Sequence, residues 1–148
     1  NFTIRTGDRT FDAAAFLRRS GADTTRVKKL FQNGMEETME RYDIMKQARI
    51  YKGIAVVAAQ ETQNRIVAAQ AADELLNISG VDASIVVAPC DEGYISVSAR
   101  SIGEVNVQCL MEKLGGGGNR SAAAAQIKDK SLPEAVNSVY AVIDDYFG

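Results

Sequence analysis

A short apolar run, IAVVAA, sits inside YKGIAVVAAQ (51–60) and constrains the fold more than any other feature of the chain. It is rich in β-branched residues, follows a glycine and is closed off by polar residues, which predicts a buried strand. Neither it nor any other run approaches the roughly 20 apolar residues needed to cross a bilayer. The next segment, NRIVAAQAADELLN (64–77), has helical spacing, with Ile66, Ala69, Leu75 and Leu76 as its expected core contacts. DASIVVAPC and GYISVSARS then read as two strands, joined by a turn of Pro89, Asp91, Glu92 and Gly93.

The flanking segments complete the pattern. Thr10 is a good cap for a helix over FDAAAFLRR that stops at Gly21, and Asp23 or Thr24 caps a second through Phe31. A third, amphipathic helix is predicted over 35–47. Residues 104–114 place Val107, Leu110, Met111 and Leu114 at i, i+3, i+4 and i+7, the helical period. Pro133 belongs in the first turn of a last helix ending near Phe147. Helices first, then strands alternating with helices, imply an α/β fold: a mixed β-sheet covered by helices and preceded by a helical connector.

Composition narrows the function. A net charge of −2 over 148 residues excludes the broadly basic surface that grips long nucleic acid. The chain has no histidine, which excludes a Ser-His-Asp triad and any His-ligated metal. Cys90 and Cys109 have no CxxC neighbour, so they are expected as reduced thiols in a cytosolic setting, not as a zinc site. No signal peptide is visible, and a start at Asn1 without methionine is expected of a fragment.

Chemistry concentrates in MEKLGGGGNRSAAAAQ (111–126). Four consecutive glycines are costly to order. A Walker A loop fails, since Arg120 stands where its second glycine belongs and no lysine follows. A Rossmann fingerprint fails too, because a helix precedes the glycines instead of a strand. A helix C-cap at Gly115 explains one or two of them. Two readings remain for the rest: an anion-binding nest of free amides, or close approach of a flat ligand to bare backbone.

The strand before that helix supports a phosphate. In GYISVSARS, Ile95, Val97 and Ala99 face one way and Ser96, Ser98 and Arg100 the other. Arg100 offers a planar fork and Ser98 a hydroxyl to one anion, although a solvated face is the plain alternative. Asn106 either caps its helix or meets the ligand. Tyr94 either covers the core beside its turn or stacks on a base. The pairs Asp91–Glu92 and Asp144–Asp145, the run RVKK (26–29), and Met35, Met39, Met45 and Met111 read as structural.

The stretch SARSIGEVNVQCLMEKLGGGGN (98–119) resembles the signature of the DHH-associated domain, the second domain of DHH-family phosphoesterases. That family pairs an Arg-Ser strand end and an Asn-Val helix start with a Gly-Gly-Gly-Gly-His loop. GIAVVAAQ, AAQAADELLNISGVDASIVV and ISVSARSIGEVNVQ resemble its branch of bacterial membrane-anchored phosphodiesterases that hydrolyse cyclic di-AMP. NFTIRTGDRTFDAAAFLRRSGAD resembles the tail of the DHH catalytic domain and the connector leaving it. The resemblance implies residues 1–48 as that tail and connector, and 49–148 as the DHH-associated substrate-binding domain.

It further implies substrate binding by Ser98, Arg100, Ser101, Asn106, Gly115, Gly116, Gly117, Gly118, Asn119 and Arg120. No catalytic residue and no metal ligand is expected in this chain, because nothing in it matches the Asp-His-His motif. The implied partners are a cyclic dinucleotide or short oligonucleotide, the protein's own DHH domain carrying manganese, and a second copy in a homodimer. The implied setting is a cytoplasmic domain of a protein anchored in the bacterial cell membrane, not active alone. Cleavage of very short RNA and a non-catalytic nucleotide-sensing module are the alternatives.

Two departures matter. The family histidine after the glycines is Asn119 here, a neutral amide that does not titrate, with Arg120 beside it. The tetra-alanine run 122–125 has helical propensity, whereas the resemblance implies an edge strand there.

Overall fold

The computed structural model describes residues 34–148. The helices expected over 10–21 and 23–31, and the run RVKK, lie outside the described residues. Contacts divide the chain into two units, Asn1–Thr38 and Met39–Gly148, and the second carries the sheet.

Helix α1 spans Met35–Met45 and is followed by β1 (Arg49–Tyr51), β2 (Ile54–Ala58) and α2 (Arg65–Leu75). Next come β3 (Ala83–Pro89), β4 (Ile95–Ser101) and α3 (Val107–Glu112), then β5 (Gly117–Gly118), β6 (Ala122–Ile127) and α4 (Leu132–Phe147). The six strands form one sheet in the order β1-β2-β3-β4-β6-β5. Only β2 and β3 run parallel, with Ile54 opposite Ala83, because α2 crosses over between them; the other pairs are antiparallel.

Alternation sorts the strand residues onto two faces. Ile54, Val56, Ile85, Val87, Val97, Ala99, Ala123 and Ala125 pack on Val107, Leu110 and Met111 of α3 and on Ala135, Val139 and Ile143 of α4. On the other face Ala55, Val57, Val86 and Ala88 meet Val67, Ala68, Ala71, Ala72 and Leu75 of α2, with Ile44 of α1. Helix α4 starts on a full capping box: the Ser131 hydroxyl accepts from Glu134 N–H, and the Glu134 carboxylate accepts from Ser131 N–H. Asn64 caps α2 in the same manner, accepting from Ile66 N–H at 2.7 Å.

The mixed sheet with covering helices agrees with the sequence reading. Four details differ. Strand β1, which the sequence reading passed over, doubles back on β2. The alanine run is strand β6, yet β5 takes the edge position outside it. Helix α3 begins at Val107 rather than 104, because Asn106 is extended (φ −93, ψ 98) and its side chain caps Gln108 and Cys109 N–H. On α2, Ile66 and Ala69 are not core: Ile66 is 67% exposed, and the buried stripe is shifted to Val67, Ala68, Ala71 and Ala72.

Candidate functional site

Helix α2 packs over β3 and the near part of β4 and leaves a cleft of about 770 Å³ between itself, β4 and β6. The shift of the α2 stripe creates it. Ile66, Ala69, Gln70 and Asp73, at i, i+3, i+4 and i+7, line one wall. Ser96, Ser98 and Arg100 of β4 line the floor, with Ala124 and Gln126 of β6. Gly115 and Gly116 complete the lining beside β6, and Arg65, Tyr94 and Lys128 line the end near the Ile95–Ile127 pairing. Of the charged side chains on this surface, Arg65, Arg100 and Lys128 are cationic and Asp73 is acidic.

Each is held by its neighbours. Arg100 Nε lies 3.0 Å from Asp73 Oδ1, with both side chains 17% exposed, and its Nη1 donates to Ala99 O at 2.8 Å. Arg65 reaches Glu92 at 3.7 Å across exposed surface. The Ser96 hydroxyl donates to Ala88 O at 3.3 Å. The Tyr94 phenol is held above its usual range, first by burial and next by a hydrogen-bonding contact with the Cys90 thiol, so it stays protonated.

The cleft therefore brings together four of the residues singled out in the sequence: Ser98, Arg100, Gly115 and Gly116. Arg100 shares one hollow with the start of the glycine run. The others sit outside the lining. The Ser101 hydroxyl is buried against Asp82 O and Gly103 O, at 3.4 and 3.5 Å. Asn106 caps α3, and its own N–H donates to Tyr146 Oη at 3.0 Å. Arg120 Nη2 donates to Glu104 O. Asn119 Oδ1 accepts from Ser121 N–H, Ser121 Oγ–H and Ala122 N–H, organising the turn into β6.

The glycine run has two structural jobs, and the nest of free amides is not formed at its start. Gly115, at φ +85, ends α3: its N–H donates to Glu112 O and that of Gly116 to Met111 O at 2.8 Å. Close approach does occur, but to β6. A Cβ on Gly116 would stand 2.6 Å from Ala125 Cα, and one on Gly118 2.5 Å from Ala122 O and Ala123 Cα. The sequence reading missed Gln70, Asp73 and Lys128; it took Ile66 and Ala69 as core contacts, and their shared spacing with Gln70 and Asp73 was the signal for the first two.

Residues 51–148 match the DHHA1 domain family. The chain belongs to that family. Similar curated proteins include the cyclic-di-AMP phosphodiesterase GdpP of Geobacillus thermodenitrificans, 45% identical over 99% of this chain and 23% of that protein. The cyclic-di-AMP phosphodiesterase PdeA of Listeria monocytogenes is 43% identical over the same shares. This DHHA1 chain thus spans about a quarter of the length of the curated relatives it matches. Among solved structures, an exopolyphosphatase-related protein from Bacteroides fragilis shares the fold at TM-score 0.74 and 18% identity, over 95% of this chain and 44% of that one. A pGpG-specific phosphodiesterase, PggH, from Vibrio cholerae does so at TM-score 0.55 and 17% identity, over 97% and 53%. Among the described residues of the DHHA1 domain no helix is long and apolar enough to cross a membrane.

Proposed function

We propose that this chain is the phosphate- and nucleotide-clamping domain of a DHH-family phosphodiesterase acting on cyclic di-AMP or its linear dinucleotide. One observation carries the reading: a chain of net charge −2 gathers Arg65, Arg100 and Lys128 against a single carboxylate, Asp73, in one cleft. The cleft volume is in the range that small-molecule sites occupy. The names of the 43–45% identical relatives support the substrate class.

The clamping follows from the residues. Arg100 presents a planar fork that matches phosphate oxygens, and the Ser98 hydroxyl beside it on the same strand face adds a donor. Gly115 lacks a side chain and a Cβ there would meet nothing within 4 Å, so a ligand can lie against the backbone at that point. Lys128 supplies a second, more mobile charge for a second phosphate. Ile66 and Ala69 give the apolar surface that a base or sugar needs.

Among the described residues no group of three or more His, Cys, Asp or Glu could hold a metal ion. We assign hydrolysis to a DHH domain elsewhere in the parent protein, whose two metal ions, proposed to be manganese, supply the activated water. Pairing of two copies and anchoring of the parent protein at the bacterial membrane, with this domain on the cytoplasmic side, belong to the same proposal and rest on the family resemblance.

Calorimetry of the chain with cyclic di-AMP, its linear dinucleotide and AMP tests the reading. Weak, salt-sensitive binding of the dinucleotides above AMP is the expected result. Tight cyclic-dinucleotide binding by the chain alone would favour a sensing module. No binding of any of the three, together with no manganese-dependent turnover by the full-length protein, would overturn the proposal.

A further inference from the structure

The phosphate-binding groups leave part of the cleft unexplained. Gln70 Oε1 is shut away from water, and among the described residues it has no hydrogen-bond partner. Native proteins keep few such atoms, because an unanswered buried polar group costs free energy. Gln70 lines the cleft beside Ile66 and Ala69 on the α2 wall, and Tyr94 lines it from the start of β4. Ile66 is 67% exposed there, one turn of α2 before Gln70. An apolar shelf next to an unsatisfied carboxamide suits a flat heterocycle with a polar edge better than it suits a phosphate.

We infer that Gln70 reads the edge of a nucleobase laid over Ile66 and Ala69, and that the base it fits is adenine. The inference rests on the cleft being the dinucleotide site proposed above. A carboxamide presents an acceptor and a donor side by side. Adenine presents the complement, its N6 amine next to an acceptor ring nitrogen, and pairs with such an amide in two hydrogen bonds. Gln70 Oε1 accepts from N6, and the amide N–H donates to the ring nitrogen. The N7/O6 edge of guanine carries two acceptors and leaves Oε1 unanswered. Guanine's other edge carries O6, N1–H and N2–H: its two adjacent donors match a carboxylate, whereas an amide paired with O6 and N1–H leaves N2–H unanswered. Tyr94 adds an aromatic wall to the cleft.

The test measures the affinity of the full 148-residue chain for cyclic di-AMP and cyclic di-GMP, for the native sequence, Q70L, Q70E and R100A. The native chain is expected to prefer the adenine dinucleotide by about tenfold or more, the discrimination one paired amide gives. Q70L should lose that preference, Q70E should shift it toward guanine, and R100A should weaken both ligands alike. A ligand-side probe needs no variant: the cyclic dinucleotide of purine riboside, which lacks the N6 amine, should bind the native chain about tenfold more weakly. If the native chain binds neither natural ligand, the nucleotide-binding reading falls and this inference with it. If it binds cyclic di-AMP but not in preference to the purine-riboside analogue, Gln70 does not read the base. The same conclusion follows if folded Q70L and Q70E keep the native adenine-to-guanine ratio; the phosphate reading then stands.

Discussion

Arg100 on β4 and Asp73 on α2 meet across the cleft with Nε 3.0 Å from Oδ1. The pair is one of the links between α2 and the outer half of the sheet, and it sits where the proposed ligand's phosphate would enter. The guanidinium is thus held in place by one carboxylate and by the Ala99 carbonyl, on the lining of the cleft. Exposed ion pairs contribute little, but this one is largely shielded, and a double-mutant cycle of R100A and D73N should give a stability coupling on the order of 1 kcal/mol. Denaturant titration of the four proteins measures it.

The same arginine governs affinity. R100A should weaken cyclic di-AMP binding by about tenfold or more, the effect expected on losing a charge-assisted hydrogen-bond pair. R100K should restore little, because a lysine keeps the charge but not the planar fork. Calorimetry at two salt concentrations separates the two contributions: both variants bind more weakly, and only R100A has a smaller salt dependence.

The glycines split by position, which makes them a direct test of their packing role. G116A and G118A drive a Cβ into the β6 backbone, and Gly118 also sits at φ +147. Overpacking of this kind costs about 1–3 kcal/mol. G117A meets nothing within 4 Å and should stay within about 1 kcal/mol of the native protein. Urea midpoints of the three variants decide the matter.

Much of this was legible in the residues, and the failures have physical causes. Alternation in GYISVSARS placed Ser98 and Arg100 opposite Val97 and Ala99, and the structure agrees because one face of β4 had to be core. On α2 two apolar stripes compete, Ile66 with Ala69 and Val67 with Ala68, and alanine's small size lets either face pack. Only the position of β3 selects the second. The alanine run illustrates tertiary override of propensity: Ala123, Ala125 and Ile127 are buried while Ala124 and Gln126 face out, a period of two that the polyalanine stretch hides. The spacing Gln70 shares with Ile66, Ala69 and Asp73 marks its helix face, but that its oxygen has no partner is visible only in the structure.

Away from the cleft, Asp144 ties α4 to β1, accepting from Tyr51 Oη at 2.5 Å and Lys52 Nζ at 2.8 Å. The hydrogen bond from Lys52, then that from Tyr51, lowers the Asp144 pKa. Its contribution is therefore present above the ordinary carboxylate range and lost as pH falls through the depressed folded value. The hydrogen bond to Asp144 is the first cause raising both Lys52 and Tyr51, so their contributions hold below their ordinary values and fade as pH rises through the raised ones. D144N should lower the melting temperature through the middle of the pH range and converge with the native protein at the acid and alkaline ends, which flattens the profile.

Asn119 follows the glycine run, and its side-chain oxygen is spent within the chain. Three donors, Ser121 N–H, Ser121 Oγ–H and Ala122 N–H, converge on Oδ1 at 3.0, 3.1 and 2.9 Å. The backbone closes the same turn, with Asn119 N–H on Ala122 O at 2.8 Å. An acceptor on a short stem is what this geometry needs, which a carboxylate also provides and an alanine does not. N119D should therefore hold stability within about 0.5 kcal/mol, while N119A should lose about 1 kcal/mol as the turn's donors are left to water. N119H sharpens the contrast. Imidazole reaches further from the backbone and cannot accept from three donors at once, so the turn should loosen. Amide hydrogen exchange at Ser121 and Ala122 reports this locally: protection should be retained in N119D and lost in N119A and N119H. Unchanged protection in N119A would mean that the backbone bond alone sets the turn.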